Sequence, residues 1–254
     1  VLTTVAGRAA AIARAGVPDH VYVAVRPRIE RLLGLQEREL SYLLQAKSPG
    51  RRRFVDVGAN WGSYTVLLAP SFAHTDAFEP IIRCAAALEK YAALRGGRIH
   101  VHPCALSDVN DTLALLVPED GVVDASGRSR IVETGDSSTV DISARTLDSF
   151  GFDDVDLVKI DVEGHERSVI AGARETLLRC KPTLVVEIEQ RHIVEPLMDR
   201  IAFVEALGYQ ASFVRGGCLV PLDKFDLERD QNVANVGKGD LYVNNFLFEP
   251  CSGL

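Results

Sequence analysis

From Phe54 onward, short apolar runs alternate with stretches whose apolar residues recur at helical spacing. The runs Phe54–Gly58, Asp76–Glu79, Ile99–Cys104, Leu157–Asp161 and Leu184–Glu189 have strand length and are bounded by turn residues, which predicts five strands. Between them Ser63–Leu68, Ile81–Leu94, Glu166–Arg179 and Pro196–Leu207 read as helices, with Val169, Ala173 and Leu177 forming one apolar stripe of the third. Strand and helix in regular succession require crossover connections, so the fold class is α/β: a mostly parallel sheet with helices on both faces.

The flanks differ from this core. Ile29, Leu32 and Leu33 are followed at helical spacing by Leu40, Leu43 and Leu44, with charged Glu37, Arg38 and Glu39 between, and Ser48, Pro49 and Gly50 end the pattern. Residues 1–50 therefore read as an N-terminal helical extension, and residues 51–254 as the α/β domain. Within that domain the interval 108–150 keeps apolar alternation at Thr112–Val117 and Val140–Leu147, which predicts a small β insertion and not a linker. Two more strands are expected at Ala211–Val214 and Asn245–Phe248, around a polar loop, Asp223–Asp240, long enough to expect either function, such as a lid over the acceptor, or disorder.

Composition narrows the class. With 254 residues and 47% hydrophobic content the chain can bury one full core. A net charge of −7 disfavours non-specific attraction to nucleic acid or to an anionic membrane. Arg51, Arg52 and Arg53 read as a solvated loop ahead of the first strand. Five cysteines, odd in number and without a C-x-x-C pair, fit a reduced cytoplasmic protein without structural zinc. Val1–Val17 carries Arg8 and Arg14, and nothing approaches about 18 consecutive apolar residues, so a soluble protein without membrane insertion or secretion signal is expected.

The candidate chemistry begins in Phe54-Val55-Asp56-Val57-Gly58-Ala59-Asn60-Trp61-Gly62-Ser63-Tyr64. A strand there leads through a Gly-containing turn into a helix, and free N–H groups at such a turn suit a nucleotide-like ligand across the carboxyl ends of the strands. Only Gly58 and Gly62 are present, with Ala59 and Asn60 where a dinucleotide fingerprint has its second glycine, so a nicotinamide-linked oxidoreductase is the weaker alternative. Asp56 is placed to receive the amino group of an amino-acid moiety. Glu79, closing the second strand, is placed to accept ribose hydroxyl protons.

Taken together, Asp56 to Tyr64, Phe78-Glu79-Pro80, Ala105-Leu106-Ser107-Asp108, Thr146-Leu147-Asp148, Lys159 to Glu166, Val186 to Glu189 and Asn245-Phe246-Leu247 resemble the FkbM-type family of class I methyltransferases. The resemblance covers roughly residues 50 to 250. It implies a Rossmann-like, seven-stranded sheet, S-adenosylmethionine as cofactor, and O-methylation of hydroxyls on sugars or on polyketide-type products. The implied cofactor contacts fall on Asp56, Gly58, Asn60, Ser63, Tyr64, Glu79 and Asp161, with Cys104, Ala105 and Leu106 flanking the adenine. Trp61 and the N-terminal helices match no part of the family pattern.

The fourth strand ends in Asp161 and leads to Glu163 and His165, and the fifth ends in Glu187 and Glu189 with His192 beyond. Neighbouring parallel strands would bring these groups together beside a methyl donor. Asp161, Glu163, His165, Glu187 and His192 are the candidate catalytic residues, as bases or as ligands to the hydroxyls of a saccharide or other small-molecule acceptor. Asp161, Glu187 and Glu189 are alternatively candidate oxygen ligands for Mg²⁺. Glu166 is read as a helix-capping residue.

Overall fold

The computed structural model describes residues 17–32, 38–45, 51–117, 129–132 and 139–251. The expectations for residues 1–16, for Leu33, Glu37 and Ser48 to Gly50, and for 118–128 and 133–138 of the insertion lie outside them. Strand β1 (Arg51–Val57) pairs in parallel with β2 (Phe72–Phe78) and with β8 (Val155–Ile160). Strands β3 (Ile99–His102) and β9 (Thr183–Glu187) extend the parallel set beyond β2 and β8. Strand β12 (Asn245–Pro250) lies antiparallel between β9 and β10 (Tyr209–Arg215). These are the seven expected strands. An eighth, β11 (Cys218–Pro221), closes a hairpin with β10 through Gly216 and Gly217, both at positive φ as a tight two-residue turn requires.

Period-2 alternation sorts strand side chains between two helical layers. Phe54, Leu157, Val185, Val214 and Leu247 pack with Leu40, Leu43 and Leu44 of α2 (Arg38–Gln45) and with Tyr64, Leu67 and Leu68 of α3 (Ser63–Leu68). On the other face Val55, Val158, Leu184, Val186 and Phe246 meet α5 (Glu166–Ala171), α6 (Arg174–Cys180) and α7 (Leu197–Glu205). Ile29 and Leu32, expected in the buried stripe, are exposed. Helix α1 (Asp19–Leu32) instead turns Tyr22 and Val23 inward, where the Tyr22 ring meets Trp61 edge-on at 5.4 Å, beside Leu88 of α4 (Ile82–Ala93). Trp61 thus docks the N-terminal helix on the domain.

Three other expectations are corrected by packing. The helix predicted over Glu166–Arg179 breaks at Gly172, where a Cβ would come within 1.9 Å of the Ser107 carbonyl oxygen, and Asp148 starts the second piece by accepting the amides of Glu175 and Thr176. The third strand stops at His102, and Ala105–Leu106 (β4) leaves for a separate sheet with β5 (Asp111–Leu116), β6 (Arg130–Val132) and β7 (Thr139–Arg145). The basic run belongs to β1 itself: Arg52 pairs with Asp156 at 2.7 Å, and Arg53 with Asp154 at 2.6 Å and with Asp76. Among the described residues no helix is long and apolar enough to cross a membrane.

Candidate active site

Three chain segments converge at the carboxyl ends of β1, β2 and β8. Gly58 adopts φ 75°, and a Cβ there would fall 1.9 Å from the Asp161 carbonyl oxygen, so only glycine lets the first turn pass this close to the end of β8. The Gly58 and Ala59 amides both donate to the Phe78 carbonyl at 3.0 Å, which seats Glu79 beside the turn. Glu79 is 4% exposed, and its two carboxylate oxygens accept the amides of Asn60 (2.7 Å) and Ile81 (2.8 Å). Burial pushes this carboxyl up to about 7, against the opposing pull of the two amides.

A cavity of about 270 Å³ opens here. Gly58, Asn60, Glu79 and Pro80 line it beside an apolar wall of Ile81, Ala105, Leu106, Leu115 and Ile131, and its polar end holds Asp161, Glu163, His165 and Glu187. Leu115 and Ile131 come from the insertion sheet, a contribution to the site that the sequence reading did not anticipate. Its only sequence signal is the apolar alternation of the insertion.

Behind the polar end lies a buried ammonium. Lys159, 1% exposed, points to the same face as Asp161 two residues on and is the lateral neighbour of Asp56 across β1 and β8. Its Nζ donates to Asn245 Oδ1 at 2.8 Å, stands 3.8 Å from Asp161 and 3.9 Å from Glu187, and lies over the Tyr64 ring at 5.1 Å. Asn244 donates to Glu187 Oε1 at 2.8 Å. Four strands thereby send polar groups to one point. Asp56 is part of this inner layer: it is 2% exposed, accepts the Thr65 hydroxyl at 2.5 Å, and is raised to about 6 by burial, with Thr65 and Lys159 pulling the other way.

The loops after β8 and β9 also touch. Glu163, at φ 50°, places Oε2 2.8 Å from Nδ1 of His192, and this hydrogen bond raises the imidazole above its ordinary value. Gly164 lets the two backbones meet, since a Cβ there would come 2.7 Å from the His192 carbonyl oxygen. Glu166 accepts the Gly164 amide at 2.7 Å and is ion-paired with Arg200, which also donates to the Gly164 carbonyl. Its role is to pin the loop, in keeping with the capping role expected of it. His165 turns the other way, with Nε2 2.8 Å from Ser107 Oγ.

Residues 56–211 match the methyltransferase FkbM domain. The chain belongs to the FkbM methyltransferase family. Among solved structures it is similar to the methyltransferase FkbM from Methylobacillus flagellatus KT, with 21% identity and a TM-score of 0.49 over 77% of this chain and 43% of that one. It is also similar to an rRNA methylase from Streptococcus thermophilus, with 12% identity and a TM-score of 0.43 over 84% and 95% of the two chains. A precorrin-6y C5,15-methyltransferase from Geobacter metallireducens GS-15 gives 12% identity and a TM-score of 0.44 over 84% and 86%. The chain spans less than half the length of the Methylobacillus protein. No curated protein matches it.

S-adenosylmethionine is the methyl donor that membership in this family implies, and the oxidoreductase alternative gives way to it. The donor set of the cavity fits that ligand: a buried carboxylate for ribose hydroxyls, an apolar slot for a base, and acidic groups near the end of β8. Of the residues expected at the cofactor, Gly58, Asn60, Glu79, Ala105, Leu106 and Asp161 line the cavity of this FkbM-family methyltransferase. Asp56, Ser63, Tyr64 and Cys104 are not among the lining residues: Asp56 and Tyr64 are turned to Lys159 beneath α3, and Cys104 is buried in the main core. Of the catalytic candidates Asp161, Glu163, His165 and Glu187 line it, while His192 stands behind Glu163.

The candidate magnesium set does not assemble. Glu189 is turned into a buried network with Arg191 (2.5 Å) and the Tyr242 hydroxyl. Burial raises its carboxyl, but the hydrogen bonds with Arg191, Tyr242 and Glu187 outweigh that, and the net shift is downward. Asp161 and Glu187 face the Lys159 ammonium, and no group of three potential metal ligands occurs among the described residues. The expected lid is partly fixed. Its helix α8 (Leu227–Asp230) is held by Asp230 against Arg215 and Arg229, and Gln231 donates to the carbonyls of Ile188 and Val243. Asn232 caps its own turn by accepting the Ala234 amide.

Proposed function

We propose that this protein O-methylates a hydroxyl of a saccharide or glycosylated metabolite. The supporting observation is the polar end of the cavity, where Asp161, Glu163, His165 and Glu187 converge opposite the apolar slot. Each has hydrogen-bonding capacity beyond its protein partner that a hydroxyl can take up, and covering that capacity with an apolar acceptor face would cost about 1–3 kcal/mol apiece. When bound, S-adenosylmethionine supplies an electrophilic methyl group on a sulfonium sulfur. In this reading Glu79 accepts the ribose hydroxyls through the lone pairs that Asn60 and Ile81 leave open, and Ala105 and Leu106 flank the base. Lys159 keeps Asp161 and Glu187 aimed from behind, so that the acceptor oxygen meets fixed hydrogen-bond partners.

Turnover of isotopically labelled S-adenosylmethionine against a panel of mono- and oligosaccharides and of macrolides tests the proposal. At least one saccharide is expected to gain an O-methyl group and to outperform every macrolide. Methylation of apolar polyketides alone would refute the saccharide acceptor and leave the family assignment standing.

A further inference from the structure

The polar end of the cavity presents several titratable side chains, and their partners distinguish them. Asp161 and Glu187 stand within 4 Å of the Lys159 ammonium, at 3.8 and 3.9 Å, and Glu163 is bonded to His192 at 2.8 Å. Each is already turned to a cationic or ring N–H partner. His165 differs. Its Nε2 meets Ser107 Oγ at 2.8 Å, and Ser107 Oγ in turn donates to Asp108 Oδ1 at 3.0 Å. A serine hydroxyl has one proton. With that proton directed to Asp108, Ser107 can only accept from His165, so the ring carries its proton on Nε2 and keeps a lone pair on Nδ1. Among the described residues no hydrogen bond reaches Nδ1.

We propose that Asp108 and Ser107 are positioning residues that fix His165 as the neutral, Nε2-protonated tautomer, and that His165 Nδ1 takes the proton of the acceptor hydroxyl. This rests on the methyltransfer reading above but not on the acceptor being a sugar. The step balances: the acceptor oxygen forms a bond to the methyl carbon, the carbon–sulfur bond breaks with its electron pair left on sulfur, and the hydroxyl proton moves to Nδ1. The sulfonium charge thereby disappears as an imidazolium forms.

The surroundings support a neutral ring at rest. Burial lowers the His165 value below that of an ordinary histidine; Asp108, on the loop after β4, opposes this, and Arg200, on α7, adds to it. Asp161 and Glu163 on the same loop and Glu166 at the start of α5 are the other charged groups nearby, each paired as described with Lys159, His192 and Arg200 respectively. The Ser107 segment is itself immobilised, because the Ser107 amide donates to the Arg145 carbonyl at 2.9 Å and Gly172 leaves room for the Ser107 carbonyl.

The test needs no acceptor for its first arm. In full-length protein saturated with S-adenosylhomocysteine, ¹⁵N imidazole NMR of His165 should show the Nε2-protonated tautomer across neutral pH. Ser107→Ala should lose that single tautomer while keeping wild-type affinity for S-adenosylhomocysteine, and Asp108→Asn should shift the tautomer balance in the same direction. An Nδ1-protonated ring in the wild type, or an unchanged tautomer in Ser107→Ala, overturns the relay. In the second arm, with any hydroxylated acceptor that is turned over, His165→Gln should lower kcat about 10²–10⁴-fold and abolish the acidic limb of its pH profile. Retention of wild-type kcat overturns the assignment of the base. Failure of every saccharide in the acceptor panel would refute the saccharide reading without touching the tautomer result.

Discussion

Replacing Glu79 by glutamine separates the two roles that burial imposes on this carboxyl. Glu79 rises from 4.5 in the unfolded chain to about 7 in the folded one because it is desolvated. A group whose folded value is raised contributes its full stability below the unfolded value and loses it as pH climbs through the folded value. At pH 8 ionised Glu79 therefore lowers the stability of the ligand-free protein by about 3 kcal/mol relative to a neutral side chain. Glu79→Gln removes that ionisation but supplies a single acceptor oxygen where the Asn60 and Ile81 amides need two, a loss of about 1 kcal/mol. The variant should thus be more stable than wild type by about 2 kcal/mol at pH 8 and slightly less stable at pH 4.5, with a crossover between. Binding should move the other way. Ribose hydroxyls donating to the charged form make bonds worth about 1.5–3 kcal/mol each, so wild-type affinity for S-adenosylhomocysteine should improve as pH rises through about 7. The variant should bind at least about tenfold more weakly at pH 8 and show a flat pH dependence. Urea denaturation followed by circular dichroism gives the first quantity and calorimetry the second. A variant that binds the ligand as tightly as wild type at pH 8, or whose stability difference does not change with pH, would refute the reasoning.

Asp56 obeys the same sign rule with a folded value of about 6, but it lies beneath α3 and not at the cavity, so Asp56→Asn should stabilise the protein at pH 8 by about 3 kcal/mol. Its affinity for S-adenosylhomocysteine should stay within about twofold of wild type, and a large loss in calorimetry would return Asp56 to the ligand. Lys159→Met leaves Asp161 and Glu187 facing each other without their ammonium and Asn245 Oδ1 without its donor, and should cost about 3–5 kcal/mol at pH 8 by urea denaturation. A loss under about 1 kcal/mol would mean that the buried charge is not structurally coupled to them. Gly164→Ala forces a Cβ toward the His192 carbonyl at φ 100°, so acceptor turnover should fall by about tenfold or more while S-adenosylhomocysteine affinity holds; equal losses in both would show that the loop also supports the cofactor.

The sequence by itself determined the layers and the order of the elements. Period-2 and period-3.6 apolar patterns reflect burial on one side of a strand or helix, and this local constraint is written residue by residue, as in Val169, Ala173 and Leu177, all buried. The turn at Gly58 and the acid at Glu79 were legible for the same reason, since a strand-to-helix turn and a strand-end carboxylate are local features. What only the tertiary structure decided is which polar groups face the ligand and which face each other. Asp56 and Asp161 both read as acids at strand ends, yet parallel register sets Asp56 beside Lys159 under α3 and leaves Asp161 at the cavity. Glu187 and Glu189 lie two residues apart in sequence, yet Glu187, at the strand end, lines the cavity while Glu189 is buried against Arg191 and Tyr242. The pairing of Lys159 with Asn245 spans 86 residues, and that of Ser107 with His165 spans 58. No local pattern encodes such pairs, because their energy comes from burial that exists only once the strands and loops from separate parts of the chain have come together.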